Sequence, residues 1–400
     1  MELKIDPSKP YGLVLEGGGA KGAYQIGAWK ALREAGIVVR GVAGASVGAL
    51  NGAMICMNDL EKAEYLWRNI SYSKVMNVED DLMDDIIKGR RKGLQIKRVL
   101  NEGMKILKDG GIDVSPLRRL IEETVDEEKI RKSPCELYVV TYSLTDRKKL
   151  YVNLKEVGPH MIQDMLLASA YFMAFKTEPL HGKKYTDGGG VNNVPLDILV
   201  ERGYEDIIVV RIYGLGRDNE RKVEIPAGTN VYHIAPRQDL GGILEFDRKK
   251  CRRNMELGYY DAKRLLYGLE GRYYYLDVPQ QEAAYAKRLF AHNEILELWV
   301  EQEGLVQNPN APEGMRYDTE YLFPEIAKIL KLRDNWTYKD LYLGMLEELA
   351  RYYRIPRFRV YTLKSLKQAI LHAEREGKLR EKKEKTKAVK ACRDKRAERV

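Results

Sequence analysis

Nowhere in these 400 residues does an apolar run approach the ~18 residues a membrane-spanning helix requires, so no transmembrane segment is predicted. Met1 to Pro10 is polar and lacks the apolar stretch of a signal peptide. Secretion is therefore not expected. The sequence reads as cytoplasmic, with the inner membrane face as a peripheral contact. Cysteine is scarce: Cys56, Cys135, Cys251 and Cys392 stand far apart, with no C-x-x-C pair and no histidine at ligand spacing. That argues against a zinc site and against a disulfide framework, and for reduced thiols. Phenylalanine is also rare, 6 residues against 26 tyrosines. Nor is there a broad excess of one charge. The net charge is +9, but residues 374–400 hold 12 Lys/Arg against 6 Asp/Glu, which leaves only +3 for the rest. A body so nearly balanced is not marked as a nucleic-acid binder, and no nucleic-acid partner is expected. The basic tail has the charge to touch anionic lipid, although a solvated helix or frayed end would look the same.

What is present is an ordinary globular composition, 44% apolar and 32% charged, in a chain long enough for more than one domain. Tyr11 to Leu15 reads as a buried strand running into glycines, and Ala23 to Ala35 has apolar residues at helical spacing up to Gly36. Val38 to Ala43 reads as a second strand, followed by a helix-like run from Val47 to Met57. Helical patterning extends from Met54 to Leu107, and Ser115-Pro116 is a helix start. Further strands are expected over 136–143, 149–154, 206–213 and 230–236, with helices over 160–170 and 247–269. Strands alternating with helices predict an α/β layer with a mainly parallel sheet. Past Pro279 the strand signals fade, which predicts a domain over 1–279 and a helical C-terminal region over 280–400.

Three glycine-rich fragments carry the chemistry. Gly44-Ala45-Ser46-Val47-Gly48 has the form G-x-S-x-G between a strand and a helix, the context of a nucleophile elbow with Ser46 at its tip. Gly17-Gly18-Gly19-Ala20-Lys21-Gly22 follows a strand and opens a helix. Such a loop suits dinucleotide phosphates, or it presents backbone N–H groups to a developing oxyanion. A dinucleotide site calls for an acidic residue about 20 positions beyond the loop. Val39 to Ser46 contains none. Asp187-Gly188-Gly189 offers a carboxylate, and a serine nucleophile needs a base. Asp187 acting directly makes a dyad. A Ser-His-Asp triad is the competing design, with His233 the best placed of five histidines. Met161, Leu166, Leu167, Tyr171, Phe172, Met173 and Phe175 are candidates for an apolar groove beside the site, at least half of them expected to pack the core instead.

In the order and separation of these motifs, together with Ala168-Ser169-Ala170 and Val191-Asn192-Asn193-Val194-Pro195, the sequence resembles the patatin-like phospholipase family over roughly residues 10–215. The resemblance implies Ser46 as nucleophile, Asp187 as proton acceptor and the Gly17–Gly22 backbone as oxyanion hole. It implies a three-layer α/β sandwich and hydrolysis of phospholipid or other acyl esters, without metal; no cofactor is expected. Family members often carry a proline after the Ala-Ser helix, whereas here Tyr171 to Phe175 is followed by Pro179. That departure bears on substrate preference more than on reaction type. Thioesterase or transacylase chemistry at the same site, and a non-catalytic lipid- or partner-binding scaffold, stay open as alternatives, as does the oligomeric state.

Overall fold

The computed structural model describes residues 1–87, 110–305 and 313–377. The expected helical stretch between Ile87 and Leu107 and the tail beyond Gly377 lie outside the described residues. The chain divides into two compact units, residues 2–268 and residues 269 onward.

The first unit is built on a seven-stranded sheet. Strands β1 (Pro10–Leu15), β2 (Val38–Ala45) and β3 (Glu136–Ser143) lie side by side in parallel. Strand β4 (Lys148–Asn153) returns antiparallel along β3, and β5 (Tyr185–Asp187) also pairs antiparallel with β3. On the other side of β1, β6 (Asp206–Val210) and β7 (Asn230–Ile234) extend the parallel order. The α/β class and mostly parallel sheet read from the sequence are therefore present. Helices cover both faces, so the inner strands are almost wholly buried and read as continuous apolar runs.

Alternate residues serve the two faces. Val14, Ala43, Val140, Ile207 and Val209 pack with Leu196 and Leu199 of the short helix Leu196–Glu201. Leu15, Val42 and Leu137 face the opposite side and meet α2 (Val47–Cys56), which also follows from the near contacts of Gly48 and Gly52. Helix α1 (Ala23–Glu34) is buried along most of its length and packs against a long C-terminal helix of this unit, Arg248–Tyr267. Helix α3 (Leu60–Arg68) packs beside α2, and α4 (Ser115–Thr124) packs against the short helix Tyr72–Val75 and the helix Ile162–Ser169. Pro116 stands in the first turn of α4, where its missing N–H is not needed.

The second unit has its own core, in which Tyr285, Trp299, Phe323, Leu346 and Tyr361 are buried together. Its main helices are Glu282–Phe290, Glu294–Glu303, Phe323–Ile329 and Tyr338–Tyr352. The helical reading of 280–400 missed one feature: β9 (Val360–Thr362) is a strand, paired in parallel with β8 (Tyr275–Asp277) just before that stretch. Three residues are too few to show a period-2 pattern. Among the described residues no helix is long and apolar enough to cross a membrane.

Candidate active site

Ser46 occupies the single residue between β2 and α2, with φ 52° and ψ −121°. A residue with a side chain rarely adopts that left-handed backbone, and strain of this kind concentrates at functional sites. The turn is possible because its neighbours lack side chains. A Cβ on Gly48 would lie 2.2 Å from the Leu15 carbonyl oxygen, and one on Gly44 would lie 2.5 Å from the Gly48 carbonyl. The Ser46 N–H donates to Ser169 Oγ at 3.0 Å, and the buried Ser169 hydroxyl donates to the Val140 carbonyl at 2.6 Å. The Ala-Ser segment therefore braces the elbow from the side.

Sheet register explains how Asp187, 141 positions downstream, reaches Ser46. The β2–β3 pairing ends with Ala45 opposite Val140, and the β5–β3 pairing begins with Asp187 opposite Thr141. Because β4 holds the other edge of β3, β5 takes the edge that β2 has just left. Ser46 Oγ donates to Asp187 Oδ2 at 2.7 Å, and Oδ1 accepts the Gly189 N–H at 2.6 Å. Burial pushes the Asp187 carboxyl up to about 6, against the two hydrogen bonds that pull it down. Its remaining exposure is toward the cavity that it lines with Ser46.

The glycine loop presents fewer donors than its sequence suggests. The Gly17 N–H donates to the Asn193 carbonyl at 3.1 Å, Ala20 to the Ile243 carbonyl at 2.7 Å, and Lys21 to the Gly18 carbonyl at 3.3 Å. Among the described residues the N–H groups of Gly18 and Gly19 have no acceptor, and both glycines line the cavity with Ser46 and Asp187. Of the Gly17–Gly22 backbone expected to form the oxyanion hole, Gly18 and Gly19 thus offer free N–H groups to the cavity, because the Asn193, Ile243 and Gly18 carbonyls take those of Gly17, Ala20 and Lys21. The Lys21 ammonium donates to the Tyr213 carbonyl at 2.6 Å, which ties it to a neighbouring loop.

The triad histidine is not at this site. His233 Nε2 lies 2.5 Å from Glu220 Oε1 with its side chain about half exposed, and no histidine borders the cavity. Among the described residues no group of three His, Cys, Asp or Glu side chains converges in a way that would hold a metal ion.

Beside Ser46 lies a cavity of about 140 Å³. One water needs only ~10–15 Å³, so something much larger fits. Its walls come mainly from Leu50 and Met54 of α2, Leu66 and Trp67 of α3, and Leu117 and Leu120 of α4. Of the groove residues expected from the sequence, Phe172 and Phe175 do border it. Leu166, Leu167 and Tyr171 are in the core, Met173 is 86% exposed, and Met161 does not border the cavity. The helix Ile162–Ser169 turns its leucines inward, leaving only the loop beyond it to face the site.

Set against known families, residues 13–200 match the model of the patatin-like phospholipases. Residues 13–200 are a patatin-like phospholipase domain. Of curated proteins, the neuropathy target esterase sws of Drosophila melanogaster is 27% identical over 208 residues, covering 50% of this chain and 13% of that protein. The Drosophila erecta protein of the same name is 62% identical over 45 residues, 11% of this chain and 3% of that one. The chain thus spans only a small part of these relatives' length. A crystal structure of VipD from Legionella pneumophila aligns over 91% of this chain and 88% of that one, at 14% identity and a TM-score of 0.40, too loose a likeness to bear on function.

Two networks around the patatin-like domain's site carry no sequence motif. Glu16, 2% exposed, accepts the N–H groups of Ile212, Tyr213 and Gly214 at 2.7, 3.0 and 3.1 Å, and Arg211 Nε at 3.0 Å. Asn51 donates to the Gly22 carbonyl at 3.0 Å and to Gln25 Oε1 at 2.8 Å, while its own oxygen accepts Trp67 Nε1–H at 2.9 Å. The second network links the glycine loop to the cavity wall. Its only sequence trace is that polar residues stand within apolar helical runs.

Proposed function

We propose that this protein is a serine lipid acyl hydrolase that cleaves carboxylic esters of phospholipids or related acyl lipids through Ser46 and Asp187. The observation that carries this reading is the 2.7 Å hydrogen bond from the Ser46 hydroxyl to Asp187 in the lining of an apolar cavity. Asp187 takes the proton as Ser46 Oγ attacks the ester carbonyl carbon. A carboxylate held near 6 is a better base than one at 3.8 and is still ionised at neutral pH. The Gly18 and Gly19 N–H groups face the developing oxyanion, where loss of one such donor typically raises the barrier by about 3–4 kcal/mol. Proton return from Asp187 to the leaving alkoxide releases the alcohol and leaves an acyl-serine. Water, deprotonated by Asp187, then attacks the acyl carbon, the carbon–Oγ bond breaks, and Ser46 recovers its proton as the fatty acid departs. The apolar walls of the cavity suit an alkyl chain.

The deciding experiment uses a short aryl ester, a fluorophosphonate probe and a mixed phospholipid extract. The wild-type protein is expected to hydrolyse the ester, to label at Ser46 and to release fatty acids. Ser46→Ala is expected to do none of these. Hydrolysis by purified Ser46→Ala at the wild-type rate would overturn the proposal.

A further inference from the structure

One side chain touches both the glycine loop and the Asp-Gly-Gly turn. Asn193 is 2% exposed and borders the cavity. Its backbone carbonyl accepts the Gly17 N–H at 3.1 Å, and its Nδ2 donates to the Gly17 carbonyl at 3.1 Å. Both polar groups of residue 17 are therefore held by residue 193. On the other side, the Asn193 N–H donates to the Arg217 carbonyl at 2.9 Å, and the Arg217 N–H donates to the Gly189 carbonyl at 2.8 Å, next to Asp187.

The second of the Gly17 contacts has a geometric consequence. The Gly17 carbonyl and the Gly18 N–H belong to one planar trans peptide, so they point in opposite directions along one rigid plane. A donor that fixes where the Gly17 oxygen points also fixes where the Gly18 N–H points, and that N–H is one of the two free donors at the site.

The amide of Asn193 is held in this orientation. Nδ2 also reaches Glu16 Oε1 at 3.4 Å, so it stands between two acceptors. A flipped amide would set its oxygen against both. As placed, Oδ1 has no hydrogen-bond partner among the described residues, and it sits where a Cβ on Gly17 or Gly189 would come within 2.4 or 2.6 Å. A buried acceptor without a donor destabilises a fold. Packing alone therefore gives no reason for an amide here, and the Nδ2 contact does.

We propose that Asn193 is a positioning residue for the oxyanion site. It grips the Gly17 carbonyl and so aims the Gly18 N–H into the cavity, while Glu16 sets the face the amide presents. This rests on the reading of Ser46 as nucleophile. The mechanism needs no new step: the contact is made before the ester binds and strengthens nothing in the ground state, so its loss falls on the transition state.

The test is steady-state hydrolysis of the aryl ester by full-length Asn193→Ala and Asn193→Asp across pH 4.5–8, with folding checked by circular dichroism. The expected result is a fall in kcat of about 100-fold, with KM within about threefold of wild type. The acid limb near pH 6 should stay in place, because the Ser46–Asp187 contact is untouched. A role in packing alone would lower the melting temperature and leave kcat intact. Folded Asn193→Ala with wild-type kcat therefore overturns the proposal. If neither variant folds, Glu16→Gln is the deciding protein: kcat about tenfold lower at unchanged KM supports the proposal, and wild-type kcat overturns it. Ser46→Ala run alongside separates the two layers. Hydrolysis by Ser46→Ala sinks the nucleophile reading itself, whereas inactive Ser46→Ala beside full-speed Asn193→Ala sinks only the positioning role.

Discussion

At the scale of single residues, Asp187 concentrates the conflict between chemistry and stability. Its carboxyl is raised from 3.8 to about 6 by burial, so the folded protein holds this proton more tightly than the unfolded chain does. The associated stability is complete below pH 3.8 and is lost as pH rises through 6. At neutral pH the ionised group is a burden of about 3 kcal/mol for a shift of roughly two units. Asp187→Asn removes that burden and keeps one oxygen to accept the Gly189 N–H, although its NH₂ group cannot accept the Ser46 hydroxyl proton as Oδ2 does. We expect Asp187→Asn to be more stable than wild type by about 1–2 kcal/mol at pH 7, and close to it or below at pH 4. Urea melts at the two pH values check this; equal differences at both would contradict it. The same group sets the pH profile of the reaction. The base works only when ionised, so kcat/KM should rise tenfold per unit below about pH 6 and flatten above it. A profile flat down to pH 4.5 would rule Asp187 out as the base.

At the scale of elements, the strand–elbow–helix unit is a steric construction. Gly48→Ala drives a methyl to 2.2 Å from the Leu15 carbonyl oxygen, on backbone that has no rotamer by which to yield. We expect a loss of about 2–4 kcal/mol in a denaturant melt together with loss of turnover. A stable, active Gly48→Ala would mean that α2 does not seat on β1 as described. Cavity shape belongs to α3 and α4. Leu120→Trp, which adds bulk from α4, should lower kcat/KM for long acyl chains at least about tenfold more than for two- or four-carbon esters. Equal loss for both would place the chain elsewhere. These elements also mark what could be read beforehand. Ser46, Asp187 and the glycine loop lie in local patterns, and glycine spacing is visible in one dimension. The cavity walls are ordinary amphipathic helix faces, and nothing in Leu50, Leu66 or Leu120 distinguishes a face turned to a cavity from one turned to a core. Which loop N–H groups remain free depends on the Asn193 and Ile243 carbonyls, over 170 residues away. Cys56 and Cys135, far apart in the chain, have their sulfurs 3.2 Å apart in the core, which spacing could not reveal either.

At the scale of the molecule, the site residues fall within residues 2–268, and residues 269 onward have a core of their own. A chain ending at Gly268, where the last helix closes in a left-handed glycine, is expected to fold and to keep aryl-ester hydrolysis within about threefold of the full protein. An insoluble or inactive product would make the second unit part of the enzyme. The basic residues concentrated over 374–400 predict a different division of labour. Deleting them should weaken sedimentation with anionic vesicles, most at low salt, without slowing a soluble ester.

Ala45, the residue before the nucleophile, and Asp187, the base, are laid against the same edge of β3, on adjacent residues of it. That strand is in effect a ruler, and turnover reads whether two other strands are aligned on it. Sliding β5 by one position would cost a few hydrogen bonds and send the carboxylate to the far face. Such a molecule would pass for native by its spectrum and its size and yet be silent. Specific activity, titrated per reactive serine, is therefore a finer gauge of correct assembly for this protein than any measure of its helical content.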